Sequence, residues 1–132
     1  MNLLLDTSAL LIHFFKEPGG DRVQDLLADE SNEIFIASVC IAEFARRLVA
    51  MGYGVDEAKS IILAYASLAD LVIPVDTAAA VRAFELSSRS RKRIPLVDAM
   101  IAACASLSSA VLVHRDAHFG AIPADLLQRV DL

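Results

Sequence analysis

Four short apolar runs, Leu3–Leu5, Ile34–Ala37, Leu71–Val75 and Ala110–Val113, are separated by longer stretches of helical periodicity, and this alternation restricts the fold more than any other feature of the chain. The runs have strand length. The periodic stretches fall at about Ser8–Phe15, Arg22–Ala28, Val39–Met51, Asp56–Leu68, Thr77–Ser88 and Val97–Leu107, and a last strand is expected near Gln128–Asp131. Strands that alternate with helices pair in parallel, because a parallel neighbour is reached only through a crossover. The reading is therefore α/β: one domain over residues 1–132, with a mainly parallel sheet of four or five strands and helices on both faces. Local markers support the boundaries. Pro18, Gly19 and Gly20 stop the first helix, Ser38 is placed to cap the third, Gly52 and Gly54 end it, and Asp56 and Asp76 are candidate caps for the next two.

The chain has 132 residues, 56% of them hydrophobic, and a mean hydropathy of +0.53. That suffices for one well-buried core. The longest uninterrupted apolar stretch, Ala99–Ala105, has seven residues, against about 20 for a membrane-spanning helix. The amino end has no basic region and Asp6 interrupts its apolar start, so no signal peptide is read and a cytoplasmic protein is expected. The stretches Val39–Met51 and Ile61–Leu68 carry more apolar surface than one small sheet needs, which favours an interface with a second copy or a partner. Cys40 and Cys104 lie in apolar surroundings without the paired spacing of zinc or redox motifs and read as buried hydrophobes. A net charge of -5 excludes nucleic-acid binding by bulk electrostatics, so such a role must rest on local charge.

Four acids lie in apolar rather than polar surroundings: Asp6 in LLLDTSALL, Glu43 in SVCIAEF, Asp98 in PLVDAMIAA and Asp116 in VLVHRDAHF. Residues just past the carboxyl ends of parallel strands line one crevice, and Asp6 and Asp116 both follow apolar strands. Glu43 falls about one turn into the helix after the second strand, and Asp98 lies in the first turn of its own helix. All four are expected to converge. Taken singly, each has an ordinary explanation: Asp6 as a helix cap, Glu43 as an ion-pair partner of Arg46 or Arg47, Asp98 as a complement to the helix dipole, and Asp116 as a turn residue. Together they repel in a partly desolvated pocket unless a cation compensates them. Oxygen-only ligation suits Mg²⁺ or Mn²⁺, and Mg²⁺ commonly shares carboxylates with a phosphate substrate.

The segments LLLDTSALL, IPLVDAMIAA and VLVHRDAHFG, with an acid in the helix after the second strand, resemble the PIN-domain ribonucleases, and most closely the VapC toxins of bacterial toxin–antitoxin pairs. The resemblance spans almost the whole chain. It implies a Mg²⁺- or Mn²⁺-dependent endoribonuclease that leaves 5′-phosphate and 3′-hydroxyl ends. Asp6, Asp98 and Asp116 would hold metal, Glu43 would hold metal or orient water, and Thr7 and Ser8 would give polar support. It also implies a homodimer and a small VapB-like antitoxin that covers the cleft. One departure stands out: the family often has Thr or Ser two positions before the fourth acid, where this chain has His114. His114 and His118 read as packed or hydrogen-bonded rather than ligating, and His13 as an ordinary helix residue.

Arg89, Arg91, Lys92 and Arg93 form a basic cluster immediately before the Asp98 segment, and Arg46, Arg47 and Arg115 lie close in sequence to proposed acids. Arg46, Arg115 and the cluster are candidate RNA contacts. Other functions fit less well. A haloacid-dehalogenase-type phosphatase needs a second Asp at the position of Ser8, and a receiver domain needs paired early acids where only Asp6 stands. A catalytically silent PIN-like module acting through its hydrophobic surface would not need all four acids.

Overall fold

A computed structural model describes all residues from Met1 to Leu132. The elements follow in the order β1 (Asn2–Leu5), α1 (Thr7–Phe14), α2 (Gly20–Ala28), β2 (Glu33–Ala37), α3 (Ser38–Ala50), α4 (Val55–Leu68), β3 (Leu71–Ile73), α5 (Thr77–Arg89), α6 (Leu96–Leu107), β4 (Val111–His114), a 3-10 turn (Ala117–Ala121) and β5 (Arg129–Asp131). All five strands form one sheet in the order β3-β2-β1-β4-β5, and every pairing is parallel. The chain runs outward from β1 to β3, then returns across the sheet to β4 and β5. Right-handed crossovers in opposite directions place α1–α4 on one face and α5–α6 on the other. Leu3, Leu4 and Leu5 are each at most 1% exposed, as a central strand covered on both sides requires. They belong to one continuous apolar core that includes Phe44, Leu48, Ile101 and Phe119.

The expected elements are present, with local differences at their ends. β3 stops at Ile73 because Pro74 has no amide for a ladder hydrogen bond. Ser38 does not cap α3; it is the first helical residue, and its hydroxyl accepts from the Val75 amide at 3.2 Å. Asp56 lies within the first turn of α4, where Gly54 is the cap residue. Asp76 does cap α5, accepting from the Ala79 amide at 3.0 Å. The end of α3 is a Schellman turn: Gly52, at φ +103°, donates to the Val49 carbonyl and Tyr53 donates to that of Leu48. Gly20, at the start of α2, sits so close to α1 that a Cβ there would lie 2.6 Å from the Ile12 carbonyl oxygen.

Cys40 and Cys104 are buried free thiols. The surplus apolar surface is visible as well. Val49, Met51, Leu63 and Leu68 on or beside α3 and α4, and Val81, Phe84, Leu96 and Leu107 on α5 and α6, are all exposed. No helix is long and apolar enough to cross a membrane.

Candidate metal centre

The direction of the chain across the sheet reverses between β1 and β4, and in open parallel sheets a crevice opens beyond the strand ends at such a point. Here it is a cleft of about 260 Å³ whose lining includes Asp6, Glu43, Asp98 and Asp116. The structure thus brings together all four acids singled out in the sequence, from segments as distant as residues 6 and 116.

Each acid is held differently. Asp6 caps α1: its Oδ1 accepts from the Ala9 amide at 2.9 Å and from the Ser8 hydroxyl at 2.6 Å, which leaves Oδ2 without a hydrogen bond. One side chain therefore caps α1 and lines the cleft. Ser8 does more than support Asp6. Its Oγ also accepts from the Arg115 amide at 2.9 Å and so ties the first turn of α1 to the loop after β4. Thr7 lines the cleft, but its buried hydroxyl has no hydrogen-bond partner and lies beside the Cys40 thiol. Asp98 enters from the first turn of α6 and is buried. Glu43 reaches the cleft from α3, is half-buried, and forms no ion pair with Arg46 or Arg47.

Electrostatics of the cleft follow from this crowding. Burial pushes the Asp6 carboxyl up from 3.8 to about 7 against the pull of its hydrogen bonds from Ser8 and Ala9, and the charges of Asp116 and Asp98 push it the same way. Asp98 is raised to about 6, first by burial and then by Asp116; His118 opposes the rise and Glu43 adds to it. A cation placed among these oxygens reverses both effects, so the donor set fits a hard divalent metal.

The two histidines near Asp116 behave differently from each other. His114, at the end of β4, is buried and packs edge-on against Phe119 with ring centroids 4.9 Å apart. Its Nδ1 accepts from the Asp116 amide at 3.1 Å and its Nε2 lies 3.1 Å from Asp131 Oδ1. Burial holds it below the usual histidine range, so the ring stays neutral and Nδ1 keeps its lone pair for the Asp116 amide. The residue that departs from the family pattern thus orients the backbone of the fourth acid. Replacing it with Leu leaves that amide unpaired and is expected to cost about 1–2 kcal/mol. Thermal melts measure the loss, and calorimetric metal titration is expected to give weaker binding than in the wild type.

His118, by contrast, stands among the acids. Its Nδ1 is 3.0 Å from Asp98 Oδ2 and 3.0 Å from Asp116 Oδ1, and its amide donates to the same Asp116 oxygen at 2.9 Å. Ligand atoms of Asp98, Asp116 and His118 all lie within 4.8 Å of one another. The 3-10 turn makes this approach, and three-residue spacing is too weak a pattern to reveal it in a sequence.

Among the basic residues, Arg47 and Arg115 line the cleft, whereas Arg46 lines an adjoining groove that shares Glu43 and Arg47 with it, and a second groove between α3 and α4. Arg89, Arg91, Lys92 and Arg93 are exposed and outside the cleft lining. Their loop is tied to the 3-10 turn by a hydrogen bond from the Arg91 amide to the Ala121 carbonyl at 2.9 Å. Sequence reasoning did not single out the rest of the wall, Leu11, Ile12, Phe15, Glu17 and Met51, because nothing in their local pattern distinguishes them from ordinary helix and turn positions.

Comparison with known proteins agrees with this architecture. VapBC2 from Rickettsia felis, solved bound to a DNA fragment from its promoter, superposes with a TM-score of 0.79 over 100% of this chain and 99% of that one at 21% identity. DNA-bound VapBC from Salmonella typhimurium gives 0.75 over 99% and 98% at 20% identity. VapC20 of Mycobacterium tuberculosis, a sarcin-ricin loop cleaving toxin, gives 0.72 over 90% and 93% at 17% identity. No curated protein sequence matches the chain. The family model of the PIN domain matches residues 3–125, and with nearly every structural element inside that span the chain belongs to the PIN domain family.

Proposed function

We propose that this protein is a metal-dependent endoribonuclease and the toxin of a VapBC-type toxin–antitoxin pair. The observation that carries the reading is the convergence of Asp6, Glu43, Asp98 and Asp116 on one cleft, with two of the carboxyls pushed well above their ordinary range, first by burial and then by the neighbouring acids. Asp6, Asp98 and Asp116 would hold Mg²⁺ or Mn²⁺. When bound, such an ion polarises a phosphodiester and acidifies a coordinated water.

The remaining work falls to the chain. Ser8 and the Ala9 amide fix one Asp6 oxygen and leave the other for the metal side of the carboxylate. Glu43 has no ion-pair partner, so its carboxylate is free to orient the attacking water and accept its proton. Arg47 and Arg115 at the cleft wall bind the phosphates on either side of the cut, which allows an acidic protein to hold a polyanion locally. The 3′ oxygen is displaced and takes a proton from solvent as it leaves, which gives a 5′-phosphate and a 3′-hydroxyl. Arg89, Arg91, Lys92 and Arg93 would extend the RNA track along the loop before α6.

The likeness to VapBC complexes supports a VapB-like antitoxin as partner, and the exposed Phe84, Leu96 and Leu107 support a homodimer. A silent binding module is disfavoured by the intact acid set.

A mixed RNA pool incubated with purified protein and Mg²⁺, Mn²⁺ or chelator tests the activity. The expected result is cutting with metal, none with chelator, and 5′-phosphates at the sequenced ends. Absence of cutting with either metal, from folded protein free of inhibitor, removes the nuclease reading.

A further inference from the structure

We infer that His118 is a nitrogen ligand of the metal in this cleft and biases it toward Mn²⁺ over Mg²⁺. The inference rests on the metal-centre reading above and adds a donor to it.

The geometry is specific. Two cis ligands of a six-coordinate ion with bonds of about 2.1 Å lie about 3 Å apart. His118 Nδ1 is 3.0 Å from one oxygen of Asp98 and 3.0 Å from one oxygen of Asp116. A hydrogen bond gives the same spacing, and one ring nitrogen between two carboxylates serves both purposes. As a donor, Nδ1–H neutralises part of their repulsion; with its hydrogen carried on Nε2 instead, Nδ1 turns a lone pair toward the same point.

The backbone supports the second use. The His118 amide donates to Asp116 Oδ1, which holds that carboxylate against the stretch of backbone that carries the ring. The His118 side chain is 54% exposed, so no packing requires the ring to fold inward over the acids. Neither other histidine is available for this role. Both ring nitrogens of His13 face Tyr65 and Gln24, and those of His114 face the Asp116 amide and Asp131. Imidazole contributes little to Mg²⁺, which prefers oxygen, and more to first-row transition ions. A site of two or three carboxylates and one imidazole therefore discriminates between the two metals by its nitrogen.

The test compares wild type, H118A and D98N without RNA. Mn²⁺ and Mg²⁺ affinities are measured by titration calorimetry, and pulsed electron paramagnetic resonance of bound Mn²⁺ reads nitrogen coupling. The expectation is a ¹⁴N coupling in the wild type that vanishes in H118A, with Mn²⁺ binding weakened on the order of tenfold and Mg²⁺ binding changed less than about twofold. Because the ring is exposed, H118A is expected to fold, and circular dichroism verifies it. Mn²⁺ bound without nitrogen coupling, or both metals bound equally or more tightly by H118A, overturns the inference and identifies His118 as a hydrogen-bonded competitor; the nuclease reading then stands. Mn²⁺ binding that is absent in the wild type, or undiminished in D98N, removes the metal centre itself.

Discussion

Asp98→Asn is expected to raise the melting temperature of the metal-free protein at pH 8 while lowering RNA cleavage on the order of a thousandfold or more. Both effects come from the same charge. Between the ordinary carboxylate value of 3.8 and the folded values of about 6 for Asp98 and about 7 for Asp6, the native protein binds protons that the unfolded chain has released. Stability of the metal-free form therefore falls as pH rises from about 4 to about 7, and is lowest once both groups are ionised. Asn keeps the shape and an acceptor for His118 but removes the buried charge and its push on Asp6. The rise of the Asp98 carboxyl from 3.8 to about 6 sets a ceiling of about 3 kcal/mol on the gain, and roughly 5 °C is a reasonable expectation for a chain of this size. The divalent ion stabilises the wild type at pH 8 but not the variant. Melting curves at pH 5 and pH 8, with and without Mg²⁺, check all of these signs. A variant that melts lower than wild type at pH 8 without metal would mean that the Asp98 carboxylate is compensated within the protein.

The second large effect is steric. Gly20→Ala is expected to destabilise the fold by about 2–3 kcal/mol, since overpacking a fixed contact costs in this range. The added methyl would lie 2.6 Å from the Ile12 carbonyl oxygen, and the atoms it meets are backbone atoms of α1, which no side-chain rotation can move aside. Helix α2 would have to lift from α1, and α1 carries Ser8 and the wall of the cleft. Loss of several degrees in melting temperature, with a matching loss of metal affinity, is the expected pattern. Gly120, where an added Cβ meets nothing within 4 Å, provides the control: Gly120→Ala is expected to leave both unchanged.

The architecture was legible because apolar periodicity switches cleanly between strand and helix along this chain, and the reversal between β1 and β4 then brings Asp6 and Asp116 to one edge. What stayed hidden depends on local closure. Ser38 looked like a cap and instead serves the Val75 amide, a contact 37 positions away that no window around Ser38 contains. His114 and His118 flank the same acid in similar surroundings, yet one turns into the core beside Phe119 and the other turns out over Asp98. That difference is made by a short 3-10 turn. Arg46 and Arg47 are adjacent in sequence, and the roughly 100° step between helix neighbours sends only the second into the cleft.

The hydrogen bond from the Arg115 amide to Ser8 joins the first helix of the chain to a loop made more than a hundred residues later. During synthesis, Asp6, Ser8 and Glu43 emerge well before α6 and β4 exist to face them. The cleft with all four acids is therefore absent from every nascent chain shorter than about Asp116, so whatever the cleft binds finds no complete site on an unfinished chain.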